Sequence, residues 1–190
     1  MFAGIRPLVG AGEGKKTAAI SRDHHLEVSP SGLVTITGGK WTTYRRMAED
    51  AVDQAVLVAG LPESDCRTRK LRIHGWLKNM DSADPLADYG SDAVHIRRLI
   101  DADPRLDERL HPALPYRKAE VVWAVRSEMA QTLDDVLARR MRALILDAAA
   151  SIAIAEDVAR LMAGELAYDE KWIRRQVTEF TRLAKRYLPA

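Results

Sequence analysis

The sequence predicts a mainly α protein, a five-helix orthogonal bundle in the C-terminal part preceded by a short β-strand and strand–turn–helix segment. Three observations carry this. Seven of the eleven glycines fall within residues 1–40, and only Gly90 and Gly164 lie beyond residue 80. After about residue 85 the chain is rich in Ala, Leu, Arg, Asp and Glu, with apolar residues at helical spacing. Between these regions, GLPESDCRTRKLRIHGWLKNMDSADP shows no sustained period. The expected organisation is a β segment over 1–62, a linker with room for one short strand over 63–85, and a helical domain over 86–190.

Composition narrows the function classes. The 190 residues are 47% apolar and 29% charged, a globular profile far from disorder. The formal charge of +2 gives no reason to expect a nucleic-acid partner. Cys66 is the single cysteine, which excludes an intrachain disulfide and a multi-cysteine metal site and fits a reducing cytoplasm. No apolar run approaches the ~20 residues that span a bilayer, and no charged-then-apolar leader follows Met1, so the expected membrane contact is peripheral at most. Residues 1–80 hold 12 basic and 8 acidic side chains and residues 81–190 hold 17 and 19, a split of +4 and −2.

Taken in order, MFAGIRPLVG reads as a strand with Phe2, Gly4, Arg6 and Leu8 on one face; Pro7 marks an edge, an end or a bulge. GAGEGKK is a flexible connection. In AISRDHHLEV, Ile20, Arg22, His24, Leu26 and Val28 share a face, which places Arg22 in the apolar stripe. A guanidinium there requires an anion. Arg6 and Arg22 on neighbouring strands suit a dianion such as phosphate; alternatively each pairs with a carboxylate such as Asp23, or sits at a strand end in water. LVTIT is a β-branched strand, and Gly38-Gly39 permits a sharp turn with close approach to a ligand. Thr42 and Thr43 are candidate N-caps of a helix with Met47, Ala48, Ala51, Val52, Ala55 and Val56 as its stripe, stopped by Gly60 and Pro62. Its N–H groups and Lys40 make the turn electropositive. The motif lacks P-loop spacing, and an ordinary strand–helix connection is the plain alternative.

In the helical domain, Ser91 is placed to cap DAVHIRRLIDAD, and Pro112 and Pro115 make a rigid entry to a second helix burying Ala119, Val122 and Val125 or Trp123 and Met129. Thr132 and Asp135 have capping-box spacing at the head of LDDVLARRMRALIL. AAASIAIAEDVARLMAGEL follows, with Gly164 as its stop, and then DEKWIRRQVTEFTRLAKRYL, capped by Asp169. Arg139, Arg140 and Arg142 read as a solvated or acid-paired helix face rather than an anion patch. Glu120 and Glu128 beside Arg126 read as structural pairs. The WIRR and RLAKRYL ends could meet lipid or a partner, but packing on the bundle itself is the simpler use. His25, His74, His95 and His111 show no metal-ligand spacing, and no metal site is expected.

AGIRPLV, SRDHHLEV, GLVTITGGKWTTYRRMAEDAVD and LPYRKAEVVWAVRSEMAQTLDDVLARRMR, in this order, resemble FAD-dependent respiratory glycerol-3-phosphate dehydrogenase. The likeness covers nearly the whole chain and matches roughly the last third of that family. It implies the C-terminal end of a D-amino-acid-oxidase-like FAD domain, incomplete here, followed by the family's helical domain. It also implies oxidation of sn-glycerol 3-phosphate to dihydroxyacetone phosphate, with FAD taking the hydride and quinone as electron acceptor. By motif match, Gly38, Gly39, Lys40, Trp41 and Thr42 face the flavin, while Arg6 and Arg22, with Lys40, face the substrate. The resemblance thus supplies the anion for the inward arginines. The G-x-G-x-x-G unit and the region with the family's catalytic base are absent from this sequence. His24, on the face of Arg22, is a weak substitute, and the chain alone is expected to be inactive. Competing readings are a fragment of an oxygen-using glycerophosphate oxidase and a non-catalytic helical interaction or oligomerisation module. The expected location is cytoplasmic, with peripheral contact at the cytoplasmic membrane and a homodimer as further possibilities.

Overall fold

A computed structural model describes residues 23–188. It divides into two compact units, Met1–Arg72 and Ile73–Ala190. The chain is mainly helical, with a single two-stranded sheet among the described residues.

In the first unit, β1 (His24–Val28) pairs antiparallel with β2 (Val34–Gly38), in a register that sets His24 opposite Gly38, Leu26 opposite Ile36 and Val28 opposite Val34. Alternation is as the sequence dictates: His24, Leu26 and Val28 are half-buried while His25 and Glu27 are exposed. The Ser29–Leu33 connection closes through Gly32 N–H donating to the Ser29 carbonyl at 2.9 Å and Leu33 N–H donating to Ser29 Oγ at 3.1 Å. A short 3-10 turn, Trp41–Thr43, leads into α1 (Tyr44–Ala59), which Gly60 ends.

The stripe of α1 is only partly covered. Met47, Ala51 and Val56 are half-buried, whereas Ala48, Val52 and Ala55 are exposed, and the helix's one buried residue is Glu49. The two strands among the described residues leave part of this sixteen-residue helix face uncovered. The segment after α1 holds no strand among the described residues, contrary to the short one for which the sequence left room.

The second unit carries the larger core. Its helices are α2 (Ala93–Ala102), α3 (Lys118–Ser127), a π-helical turn (Asp135–Arg140), α4 (Ala143–Leu146), α5 (Ala148–Ala153), α6 (Ala155–Leu166) and α7 (Glu170–Ala184). Leu114, Val121, Leu133, Leu137, Val158, Met162 and Phe180 are fully buried in one cluster, and Leu86, Ala93, Ile96 and Ala119 form a smaller one. The amphipathic α7 turns Trp172, Ile173, Gln176, Phe180 and Ala184 inward, so its apolar face packs on its own bundle. No helix among the described residues is long and apolar enough to cross a membrane.

N-cap side chains start α5 and α7, and the other helix starts are instructive. Asp169 Oδ1 accepts from Trp172 N–H at 2.9 Å, as the sequence requires. The Thr132–Asp135 box is reciprocal: Thr132 N–H donates to Asp135 Oδ2 at 3.0 Å and Asp135 N–H donates to Thr132 Oγ1 at 3.2 Å. Ser91 is not a cap, because a 3-10 stretch kinked at Gly90 occupies Ala87–Asp92 and α2 begins at Ala93. LDDVLARRMRALIL is broken rather than continuous. The π turn ends at Arg140, Arg142 ahead of α4 is left-handed (φ 59°), and Asp147 stops α4 because its own Oδ1 caps α5 through Ala150 N–H at 2.8 Å. The Met141 carbonyl at this break takes the Tyr116 hydroxyl instead. The next stretch is likewise two helices, joined at Ile154. Gly164 does not stop it; α6 runs on to Leu166, and Ala167 takes the left-handed closing position.

Candidate functional site

The turn between β2 and α1 gathers the cofactor-facing candidates into one contiguous surface. Gly38 and Gly39 have φ of 76° and 80°, so two successive residues adopt backbone that side chains disfavour. Behind Gly39 the space is full: an added Cβ would lie 2.5 Å from Met47 Sδ and 3.3 Å from His24 Cβ. Lys40 is extended and exposed, and its N–H donates to Thr43 Oγ1 at 3.2 Å while Thr43 Oγ1 donates to the Lys40 carbonyl at 3.0 Å. Thr43 thus braces the start of the helix from within, and Thr42 stands exposed. Trp41 is 87% exposed, its ring 5.8 Å from that of Tyr44. The open side of this turn presents backbone, an ammonium group and an indole. That set suits a planar ligand with a partly negative edge.

A charged network lies behind it. His24 Nε2 meets Asp50 Oδ2 at 2.9 Å, and Asp50 Oδ1 accepts from Arg46 at 2.8 Å. Glu49, 6% exposed, accepts from Arg69 and Arg45 at 2.8 and 2.9 Å, with Arg46 at 3.2 Å. The hydrogen bonds from Arg69, then Arg45, hold its carboxyl down at about 2. Sequence reasoning missed both groupings. The Arg45/Glu49 and Arg46/Asp50 spacings of four were the available signal for the pairs within the helix. Nothing local announces that His24 and Arg69 complete them. His24, a weak candidate base by sequence, has its Nε2 engaged by Asp50.

An open cavity of about 920 Å³ in this unit is lined by His24, Leu26, Val56 and Leu57 together with Asp50, Asp53, Glu63 and Asp65. Its carboxylates make it unsuited to a phosphate. Arg6 and Arg22, the candidate substrate cations, lie outside the described residues.

The other sequence candidates have local uses. His95 stacks on Trp123 at 5.7 Å, His74 pairs with Asp92 at 3.1 Å, and His111 Nδ1 accepts from Ala113 N–H. Among the described residues no group of His, Cys, Asp and Glu is placed to hold a metal ion. Arg139 pairs with Asp134 and Asp135, and Arg140 donates to the Glu128 carbonyl. Arg126 pairs with Glu165 on α6, not with Glu120 or Glu128. Glu128 accepts from Trp123 Nε1, and Glu120 from Tyr89 and the Arg117 N–H.

Comparison with known proteins gives a consistent picture. The family model described as the C-terminal domain of alpha-glycerophosphate oxidase matches residues 6–173. A probable mitochondrial glycerol-3-phosphate dehydrogenase of Caenorhabditis elegans is 40% identical over 93% of this chain and 27% of its own length. The mitochondrial glycerol-3-phosphate dehydrogenase of Mesocricetus auratus is 37% identical over 92% of this chain and 26% of its own. The Arabidopsis thaliana mitochondrial enzyme SDP6 is 34% identical over 98% and 34%. The chain therefore spans about a quarter to a third of these relatives. Their mitochondrial names overturn the cytoplasmic location expected from composition and the lone cysteine. One reduced thiol does not distinguish compartments.

Proposed function

This chain belongs to the family of the C-terminal domain of alpha-glycerophosphate oxidase, and from that premise we propose that it is the C-terminal part of a flavoprotein that oxidises sn-glycerol 3-phosphate to dihydroxyacetone phosphate. FAD, when bound, supplies the hydride acceptor. The observation that carries the reading is the turn itself: two left-handed glycines, packed from behind, with exposed Lys40 and Trp41 on a strand-to-helix junction. Residues of this kind fit a flavin edge, where negative charge develops on reduction and preplaced donors stabilise it. Gly38, Gly39, Trp41 and Thr42 would hold the cofactor, and Lys40 would set the local charge beside both ligands. Arg6 and Arg22 would hold the substrate phosphate and polarise the C2 hydroxyl. We assign the general base and the pyrophosphate-binding unit to the part of the relatives' length that this chain does not span. The dehydrogenase names of the relatives favour quinone over oxygen as the acceptor, and their location favours mitochondria.

A chimera tests this. The chain replaces the matching segment of the Mesocricetus auratus enzyme, and bound flavin, glycerol-3-phosphate-dependent quinone reduction and oxygen uptake are measured. Flavin with quinone reduction is expected. A folded chimera that retains flavin but shows no substrate-dependent reduction sinks the assignment; peroxide production moves it to the oxidase.

A further inference from the structure

We propose that His24 and Asp50 form a positioning brace that holds the Gly38–Gly39–Lys40 turn in its ligand-facing shape; its relevance to the flavin rests on the function proposed above. Two adjacent glycines have no side chains with which to fix their own conformation, and the freedom that lets them turn also lets them wander. Something outside the turn must hold it. His24 is the register partner of Gly38, so the strand bearing it lies directly alongside the first glycine. Its Cβ approaches within 3.3 Å of the place where a Gly39 Cβ would stand, and Met47 of α1 closes the same space. His24 Nε2 then reaches Asp50, three residues along α1 from Met47, at 2.9 Å. Arg46, on the same helix, holds the other Asp50 oxygen at 2.8 Å. Strand, helix and turn are thereby tied at one point directly behind the backbone that faces the ligand. The role assigned to His24 and Asp50 is exerted through the turn rather than on a ligand.

The test uses His24→Ala, Asp50→Ala and His24→Gln, the last keeping an N–H that can reach Asp50. In the 190-residue chain, amide hydrogen exchange of residues 38–41 should rise about tenfold in both alanine variants, the loss of roughly one hydrogen bond. His24→Gln should restore most of the protection, and the amides of 118–184 should not change. In the chimera, the alanine variants should shift the flavin midpoint potential and lower kcat with little change in KM. If residues 38–41 exchange no faster in either alanine variant, the brace does not exist. If they do but the flavin potential stays put, the brace has no bearing on the ligand and the proposal falls. If the unsubstituted chimera binds no flavin while exchange behaves as expected, the brace stands and the assigned cofactor is what fails.

Discussion

Tyr89 donates its hydroxyl proton to Oε1 of Glu120 at 3.1 Å, joining the 3-10 entry of the helical unit to α3. Glu120 also accepts the Arg117 N–H at 2.6 Å and is 3% exposed. Burial pushes its carboxyl up from 4.5 to about 7, against the opposing pull of these hydrogen bonds. Burial likewise pushes the Tyr89 phenol upward.

The sign of the resulting pH dependence follows. Below 4.5 the carboxyl is protonated whether the chain is folded or not. Between 4.5 and about 7 the folded form keeps a proton that the unfolded chain has released, so stability falls as pH rises through that window. The full change is about 3 kcal/mol at most. Urea unfolding of the chain at pH 4.5, 6 and 8 should show this decline, and Glu120→Gln should flatten it. A wild-type curve that rises over the same range contradicts the assignment.

Glu49 behaves in the opposite sense. Its carboxyl is held at about 2, so the contribution of the arginine cluster is present above 4.5 and is lost as pH falls toward 2. A carbon-detected NMR titration of the Glu49 carboxyl should give a midpoint below that of an ordinary glutamate. In Glu49→Gln the midpoint is removed, and Arg45, Arg46 and Arg69 should show raised side-chain mobility. A normal Glu49 midpoint near 4.5 means that the cluster does not persist in solution.

Two glycines should respond unequally to alanine. At Gly90 (φ 52°) the new Cβ would lie 1.9 Å from the Gly75 carbonyl oxygen, a backbone atom that cannot step aside. Gly90→Ala should destabilise the chain by on the order of 3 kcal/mol or more. Gly39→Ala meets the flexible end of Met47 and should cost about 1–2 kcal/mol, from left-handed backbone plus displacement. Thermal unfolding ranks the two. Gly39→Ala combined with Met47→Ala should recover the steric share only.

Gln176 is a buried polar residue of α7 whose Oε1 accepts the Leu133 N–H at 3.0 Å. Gln176→Leu fills the space yet leaves that N–H without a partner, which costs about 1–3 kcal/mol. Gln176→Glu keeps an acceptor there and should be the milder of the two below pH 5. Chemical denaturation at pH 5 compares them. Equal stability of Gln176→Leu and wild type means that the Leu133 N–H finds another acceptor.

The proposed site gives a kinetic pair. In the chimera, Lys40→Ala should lower kcat and the flavin potential together, because its charge stands beside the turn. Arg22→Ala should act mainly on KM, by roughly ten- to a hundred-fold, as the loss of one charge-assisted hydrogen bond requires. Loss of flavin without a KM change in Arg22→Ala assigns that arginine to the cofactor instead.

The strands HHLEV and VTITG, the span of α1 and the Thr132 and Asp169 caps were legible because their causes are local: alternation, a glycine stop, an oxygen two or three residues from the N–H it binds; the pairing of the two strands was not read. The breaks at Arg142, Asp147 and Ile154 were not. LDDVLARRMRALIL has good helical spacing throughout, and only Tyr116 on the Met141 carbonyl and Arg140 on the Glu128 carbonyl make interruption tolerable. Gly164 looked like a stop because glycine often is one, yet α6 continues through it. The members of the candidate turn were visible in GGKWTT. What lies behind them was not, since His24, Asp50, Glu49 and Arg69 come from β1, α1 and the segment after it, and no spacing rule links those.

The π turn has a bearing on which changes of length the chain tolerates. Met141 N–H reaches back to the Val136 carbonyl at 2.9 Å, so this ring of backbone contains one residue more than an α turn. Removing a residue such as half-buried Ala138 would close the ring to α pitch, with the flanking helices kept near their present rotation. The same deletion inside α6 would turn everything after it by about 100° and carry Met162 away from the interior. Among the described residues, Asp135–Arg140 is a helical stretch expected to lose a residue and keep the core facing inward.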